Sequence, residues 1–557
     1  MIRTSHLAPT EIRASPVPST RSFRARVVGA VAVTLSLALP GDAHARALPL
    51  PVPLPLTGSQ HKPGAVPEGE GTTEGGQGRT TTRRRARRTV RTSPLTYTTP
   101  RTTAALTGDL GSMLMKRVRN GRWGVMVVSL TRGDTLYAFN PDDGLQPASN
   151  MKLFTSALVL DQLGPDHQFS TDVLRDGTLS SDGALRGNLV IRGDGDPSLS
   201  ARFFQGNARA MDALAQLVAA AGVKRVTGNL IADASAFDPE RIPEGWKSRY
   251  LSAGYAARVS ALSLNENLVT LVVRAGSGTS GATVSFDPAT DLPLAVGVRT
   301  VNGSGARVIV HTTSAGVVEV RGWIGRSTGE RRYQMVVEDP TAYAAGAFRR
   351  ALQSRGISVA GKTQYATTPG SATKIASLQS PPLTRLLAAM NGESINHYAE
   401  LLFRDAARHA SPSGVGSAEA GNALLQQFMS EKVGASPGAV FTSDGSGLSV
   451  LDRVTPRSLV QLLSYANHSS WSDAFHSSLP VAGESDLLRH RMRSTPAQGN
   501  LHAKTGTTNT VTSLGGYVTA KNGELLAFAF IYNGRERWNA KETIDAMGAT
   551  LAAFSRQ

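Results

Sequence analysis

The sequence predicts an α+β fold, in which an antiparallel sheet flanked by helices and a helical lobe form a core that a mainly β insertion divides in two. Three observations predict it. A hairpin pattern lies near residue 125, and strand patterns return only near the C-terminus. Amphipathic helical segments cluster between residues 383 and 465. From about 168 to 375, short Val/Thr-rich runs alternate with glycine turns.

The core begins with Trp123 to Leu130, which reads as a strand, a turn at Arg132-Gly133-Asp134, and a second strand from Thr135 to Phe139. Pro147-Ala148-Ser149 then opens a helix. Leu153, Phe154, Ala157, Leu158, Leu160 and Leu163 form its apolar face, and Gly164-Pro165 stops it. The insertion carries strand-like runs at 187–191, 228–233, 268–274, 283–286 and 316–322, with one helical stretch at 207–221. Helical texture returns at 383–390, 398–408, 418–431 and 459–465. Runs at 500–504, 513–519 and 525–532 read as strands, the last two joined by a turn at Lys521-Asn522-Gly523, and 540–554 reads as a closing amphipathic helix. The first hairpin and the last strands complete one sheet. The expected boundaries are 104–167 for the first part of the core, 168–375 for the insertion and 376–557 for the second part.

Residues 1–45 have the form of a secretory signal peptide with an N-terminal extension. Arg21, Arg24 and Arg26 precede a 13-residue apolar run from Val27 to Leu39, and Ala43-His44-Ala45 follows as a small-x-small cleavage pattern. Residues 46–103 read as a disordered linker, proline-rich from Leu48 to Leu56 and arginine-rich at Arg83-Arg84-Arg85-Ala86-Arg87-Arg88. The arginine cluster reads as a solvated spacer, or as an attachment point for anionic envelope polymers. The formal charge is +17, but residues 1–103 hold 15 Lys/Arg against 5 Asp/Glu, leaving 44 against 37 in the rest. The basic excess sits mainly outside the expected folded body, which argues against a nucleic-acid partner. With 0 cysteines the chain can form no disulfide, zinc–thiolate site, cysteine nucleophile or lipidated N-terminal cysteine. The 11 histidines are scattered, without a His-Glu-x-x-His motif, and no P-loop or dinucleotide fingerprint stands out. Neither metal nor cofactor is expected.

Three short motifs carry chemistry. Ser-x-x-Lys occurs three times, at Ser59/Lys62, Ser149/Lys152 and Ser371/Lys374. Only Ser149 starts an apolar helix. There, residues three apart are neighbours at roughly 5–6 Å between Cβ atoms, so Lys152 reaches the Ser149 hydroxyl. Unpaired N–H groups at the helix tip favour a developing oxyanion. For Lys152 to act as a base its pKa must fall, through burial or through a neighbouring cation for which Lys504 is the candidate. Ser-x-Asn occurs at Ser263/Asn265 and at Ser394/Asn396. The second lies between two helices, on a loop that can face the serine; its hydroxyl can relay a proton and its amide can orient Lys152. Lys504-Thr505-Gly506 occurs once, at the end of a strand pattern and before Thr507. Gly506 allows a ligand backbone to lie close, while Lys504 and Thr505 can hold a carboxylate. In this order, the parts make a serine acyl-transfer site that needs no histidine.

On these motifs the chain resembles the low-molecular-mass class C penicillin-binding proteins, the D-alanyl-D-alanine carboxypeptidase/endopeptidase family with a large insertion. The resemblance covers roughly 105–555 and extends to Gly193-Asp194-Gly195-Asp196-Pro197-Ser198-Leu199, Ser260 to Asn267, Asp444-Gly445-Ser446-Gly447-Leu448-Ser449 and Pro480-Val481-Ala482-Gly483. It implies a penicillin-binding/β-lactamase-like core and a bacterial periplasmic or cell-envelope location. It also implies catalytic residues Ser149, Lys152, Ser394 and Asn396, and substrate-binding residues Lys504, Thr505, Gly506 and Thr507. The backbone N–H groups of Ser149 and Thr507 would form the oxyanion hole, peptidoglycan stem peptides would be the substrates, and β-lactams would acylate Ser149. Many relatives have an acidic residue after the tryptophan of the insertion; here Gly245-Trp246 is followed by Lys247-Ser248-Arg249, so no residue is assigned to diamino-acid recognition. The rival readings are a β-lactamase and an inactive wall-binding protein.

Overall fold

The computed structural model describes residues 96–556, apart from 205, 207, 208, 278 and 279. The signal peptide and almost all of the linker expected from the sequence lie outside this range. Among the described residues, no helix is long and apolar enough to cross a membrane.

The two ends of the folded body meet in one sheet. Its strands run in the order His502–Thr507, Val511–Thr519, Leu525–Asn533, Arg122–Ser129 and Thr135–Phe139, all antiparallel. The central strand Leu525–Asn533 is buried on both faces and follows the period-two rule of a pleated sheet. Leu526, Phe528, Phe530 and Tyr532 face one apolar layer, with helix α1 (Thr103–Arg117) and the closing helix (Arg537–Ala553) on the other side of it. Ala527, Ala529 and Ile531 face the opposite layer, which includes helix α2 (Met151–Leu163). Burying each large apolar side chain there contributes about 1.5–3 kcal/mol.

That second layer continues into the helical lobe. It comprises Leu383–Glu393, Asn396–Ala410, Ala418–Glu431, Pro456–His468 and the short helix Ser472–Ser477. The helix Asn396–Ala410 is buried along nearly its whole length, polar residues included.

The insertion has its own core. A seven-stranded sheet and two three-stranded sheets surround helices Arg209–Ala220 and Pro340–Ser354. The second helix is absent from the sequence reading, although Asp339 caps its first turn by accepting from Ala342 N at 3.0 Å, with Pro340 as its first residue.

The structure moves two expected boundaries. Strand Thr373–Gln379 pairs with Ser170–Leu179 along its length, so the chain leaves the insertion at Ser380 rather than at 375. At the other end, Thr98 N donates to Thr550 Oγ1 at 3.0 Å and Thr102 caps α1, so the folded body begins before residue 104. The linker's last residues run along the closing helix.

Candidate active site

Ser149 does not sit in the first α-helical turn, as its sequence suggests. It lies in a 3-10 turn, Ala148–Asn150, that feeds into α2. Ala148 holds φ +47°, a left-handed conformation that costs roughly 1–3 kcal/mol for a residue with a Cβ. Packing fixes this turn from two sides. Ser513 Oγ donates to Pro147 O at 2.7 Å. Gly506 lies flat against the same turn, where a Cβ would collide with Ser513 Oγ and come within 2.6 Å of Pro147 O. The glycine of the third motif therefore brings its strand against the Ser149 turn.

The helical lobe forms the opposite wall. Lys152 is fully buried, with its Nζ at 3.3 Å from Ser149 Oγ, 2.6 Å from Asn396 Oδ1 and 2.8 Å from Ser446 O. Asn396 is the first residue of its helix, and its Nδ2 donates to Tyr255 O at 2.8 Å. Ser394 ends the preceding helix with φ +59°. Its Oγ accepts from Lys504 Nζ at 2.9 Å, and Lys504 also donates to Thr505 O at 2.9 Å. Thr505 is buried, and Thr507 stands exposed at the strand's end, paired in register with Thr512. Ser149 and Ser394 are partly exposed above the two buried lysines.

Burial pushes the Lys152 amine down to about 8, against the upward pull of the Asp444, Glu400 and Asp452 carboxyls. Burial, followed by the positive charge of Lys152, holds Lys504 well below the ordinary lysine range. Burial, rather than the neighbouring cation that the sequence nominates, lowers the Lys152 amine.

Sequence reasoning assigned no role to the loop beneath Lys152. Asp444 is fully buried and gathers four N–H donors: Ser446 N at 2.9 Å, Gly447 N at 2.6 Å, Ser449 N at 2.7 Å and Trp246 Nε1 at 2.7 Å. Together they bend the chain so that the Ser446 carbonyl faces Lys152. Gly447 has φ +84°, and a Cβ there would strike the Ala148 carbonyl, so no side chain fits. Burial, with help from Asp444, raises the Glu400 carboxyl to about 8. The motif Asp444 to Ser449 was visible in the sequence, but its function as a cradle was not.

The insertion roofs this site. Trp246 reaches Asp444, Tyr255 holds Asn396, and Asn267 Nδ2 meets His397 Nε2 at 3.0 Å behind Asn396. This last contact gives the Ser260 to Asn267 segment its place: it braces the helix that presents Asn396. The Arg249 guanidinium lies 5.2 Å from the Tyr250 ring centroid, beside Tyr255.

The competing motifs lie elsewhere. Ser371 donates to Asp176 at 3.0 Å and Lys374 pairs with Asp172 at 3.5 Å, both in the insertion. Ser263 donates to Ser260 O at 2.7 Å. Ser59 and Lys62 fall outside the described residues.

The D-alanyl-D-alanine carboxypeptidase of Actinomadura sp. (strain R39) is 34% identical over 454 residues, covering 78% of this chain and 81% of that protein. The crystal structure of penicillin-binding protein 4 (dacB) from Haemophilus influenzae matches with a TM-score of 0.66 at 24% identity, covering 78% of this chain and 98% of that one. The structure of that protein complexed with a β-lactam matches with a TM-score of 0.62, also at 24% identity, over 78% of this chain and 97% of that one. The D-Ala-D-Ala carboxypeptidase 3 (S13) family profile matches residues 106–554. The chain therefore belongs to that family, as a serine-type carboxypeptidase of the low-molecular-mass class C penicillin-binding proteins.

Proposed function

We propose that Ser149 is the acylated nucleophile of a serine D,D-peptidase and Lys152 its base. Ser149 Oγ attacks the carbonyl of a terminal D-Ala-D-Ala bond in a peptidoglycan stem peptide. An O–C bond forms as the hydroxyl proton passes to the uncharged Lys152 amine. The C–N bond then breaks, and the proton travels through the Ser394 hydroxyl to the leaving amine. Asn396 positions Lys152 and the substrate, Lys504 and Thr505 take the terminal carboxylate, and Gly506 leaves room for the peptide backbone. The N–H groups of Ser149 and Thr507 stabilise the oxyanion, each such donor contributing roughly 10²–10³ in rate. Water releases the acyl-enzyme. β-Lactams, whose strained amide mimics the scissile bond, acylate the same oxygen. The signal-like N-terminus supports action in the bacterial periplasm or cell envelope.

The observation that carries this reading is the buried Lys152 amine, lowered to about 8 and 3.3 Å from Ser149 Oγ. Mass spectrometry after treatment with penicillin tests it. The wild type should carry one adduct on the Ser149 peptide, and Ser149→Ala should carry none. An adduct on another residue, or one that persists in Ser149→Ala, overturns the assignment.

A further inference from the structure

Away from the cleft, the fold gathers polar groups that the peptidase chemistry does not use. His167 lies in the turn through which the chain leaves the core, beside the segment by which it returns. Its carbonyl accepts from Leu383 N at 2.8 Å, Phe169 N donates to Ser380 Oγ at 2.9 Å, and Ser380 N donates to Phe169 O at 2.9 Å. Asp405 and His409 stand four residues apart on the helix Asn396–Ala410, so they share one face. One ligand-capable atom from each of His167, Asp405 and His409 lies within 4.8 Å of the other two.

Hydrogen bonding leaves this cluster incomplete. The Asp405 side chain is 0% exposed. Its Oδ1 takes Arg408 Nε at 2.7 Å, but its Oδ2 receives no hydrogen bond. His409 Nδ1 is 3.2 Å from that Oδ2, yet it is directed at the Asp405 backbone carbonyl, 3.0 Å away. His167 Nε2 is buried with no partner, and so is Oδ1 of Asp194, whose other oxygen accepts from Ser170 N at 2.8 Å. Each unsatisfied buried group bears the full penalty of its lost hydration. Several in one place, with two imidazoles facing a carboxylate, match a cation better than a packing fault.

We propose that His167, Asp405 and His409 form a structural zinc site that ties the core–insertion seam to the helix carrying Asn396. Two imidazoles and one carboxylate make a donor set suited to Zn2+. Arg408 fixes the second oxygen of Asp405, the outer-shell support that such ligands need. The partial exposure of His409, at 37% of its side chain, provides the entry path. A water completes the coordination. Neither histidine is near the other in sequence, which is why the scattered histidines gave no sign of a site.

The test uses the whole enzyme, stripped with a chelator and titrated calorimetrically with Zn2+ alone. One ion per chain should bind with a dissociation constant in the micromolar range or tighter, and raise the melting temperature. His409→Ala, at a half-exposed position, and His167→Ala should each weaken binding by at least about tenfold. Labelling by penicillin confirms that each variant is folded. Co2+ in the wild type should give the visible bands of a four-coordinate ion, and His409→Ala should lose them. Absence of stoichiometric binding in the wild type, or unchanged binding in both folded variants, overturns the proposal.

Discussion

The two walls of the cleft hold the same side chain in opposite electrostatic settings. On the helical wall, Lys152 has oxygen acceptors at 2.6 and 2.8 Å, and three carboxyls pull its pKa upward. On the sheet wall, Lys504 has two neutral oxygen acceptors at 2.9 Å, and the charge it feels most is the positive one on Lys152. Both side chains are 0% exposed, so burial alone does not separate them. The difference teaches a division of labour. Lys152 has enough negative surroundings to stop near 8, the range that the proposed proton exchange with Ser149 requires. Lys504 has only the positive charge of Lys152 acting on it, so its wall suits the carboxylate proposed as its ligand.

The largest effect should come from breaking the helical wall. Lys152→Ala should slow acylation by roughly 10²–10⁴-fold. In the wild type the active form carries the free amine, so log kcat/KM should rise with pH and level off near 8. Asp444 is the carboxyl that pulls hardest on Lys152. With Asp444→Asn the amine should lose its proton more readily, and the rising limb should move to lower pH. A limb that stays in place, or moves up, would mean that another group sets the profile.

Next comes the sheet wall. A charge-assisted hydrogen bond contributes about 1.5–3 kcal/mol. Lys504→Ala should therefore reduce kcat/KM by roughly 10–10²-fold on a peptide ending in a free carboxylate. The same peptide with an amidated terminus should lose much less. Equal losses on both substrates would assign Lys504 to the chemistry rather than to carboxylate binding.

The sequence disclosed these walls unevenly. Ser149, Lys152, Ser394, Asn396 and Lys504 were legible because each sits in a short motif whose spacing carries its geometry, and the fold brings those motifs together. The sheet closure was legible because strands 122–129 and 525–533 show the pattern of a buried pleat. Helix α1 was not, although Leu106, Leu110, Met113 and Leu114 line one face, because Gly108 and Gly111 interrupt the pattern and lower its helical propensity. The sequence shows the motif around Asp444 but not its role, since its four donors include Trp246 from the insertion. Glu400 had no signal at all. It sits mid-helix among apolar neighbours, and only burial makes it unusual.

Glu400 gives the smallest expected effect and the sharpest comparison with Asp444. Burial raises its carboxyl from 4.5 to about 8, so at neutral pH it is protonated and exerts little of its pull on Lys152. Glu400→Gln, of the same shape and also uncharged, should change acylation at pH 7 by less than about threefold and leave the rising limb in place. Its signature should appear in stability. A carboxyl whose pKa is raised on folding makes the native state bind more protons than the unfolded state between these two values. Its stabilisation is then fully present below about pH 4.5 and is lost as pH rises through about 8. Denaturant midpoints measured from pH 5 to pH 8 should therefore fall less steeply in Glu400→Gln than in the wild type. A limb displaced as far as in Asp444→Asn would show that Glu400 is ionised beside Lys152, and that the helical wall holds two working counter-charges rather than one.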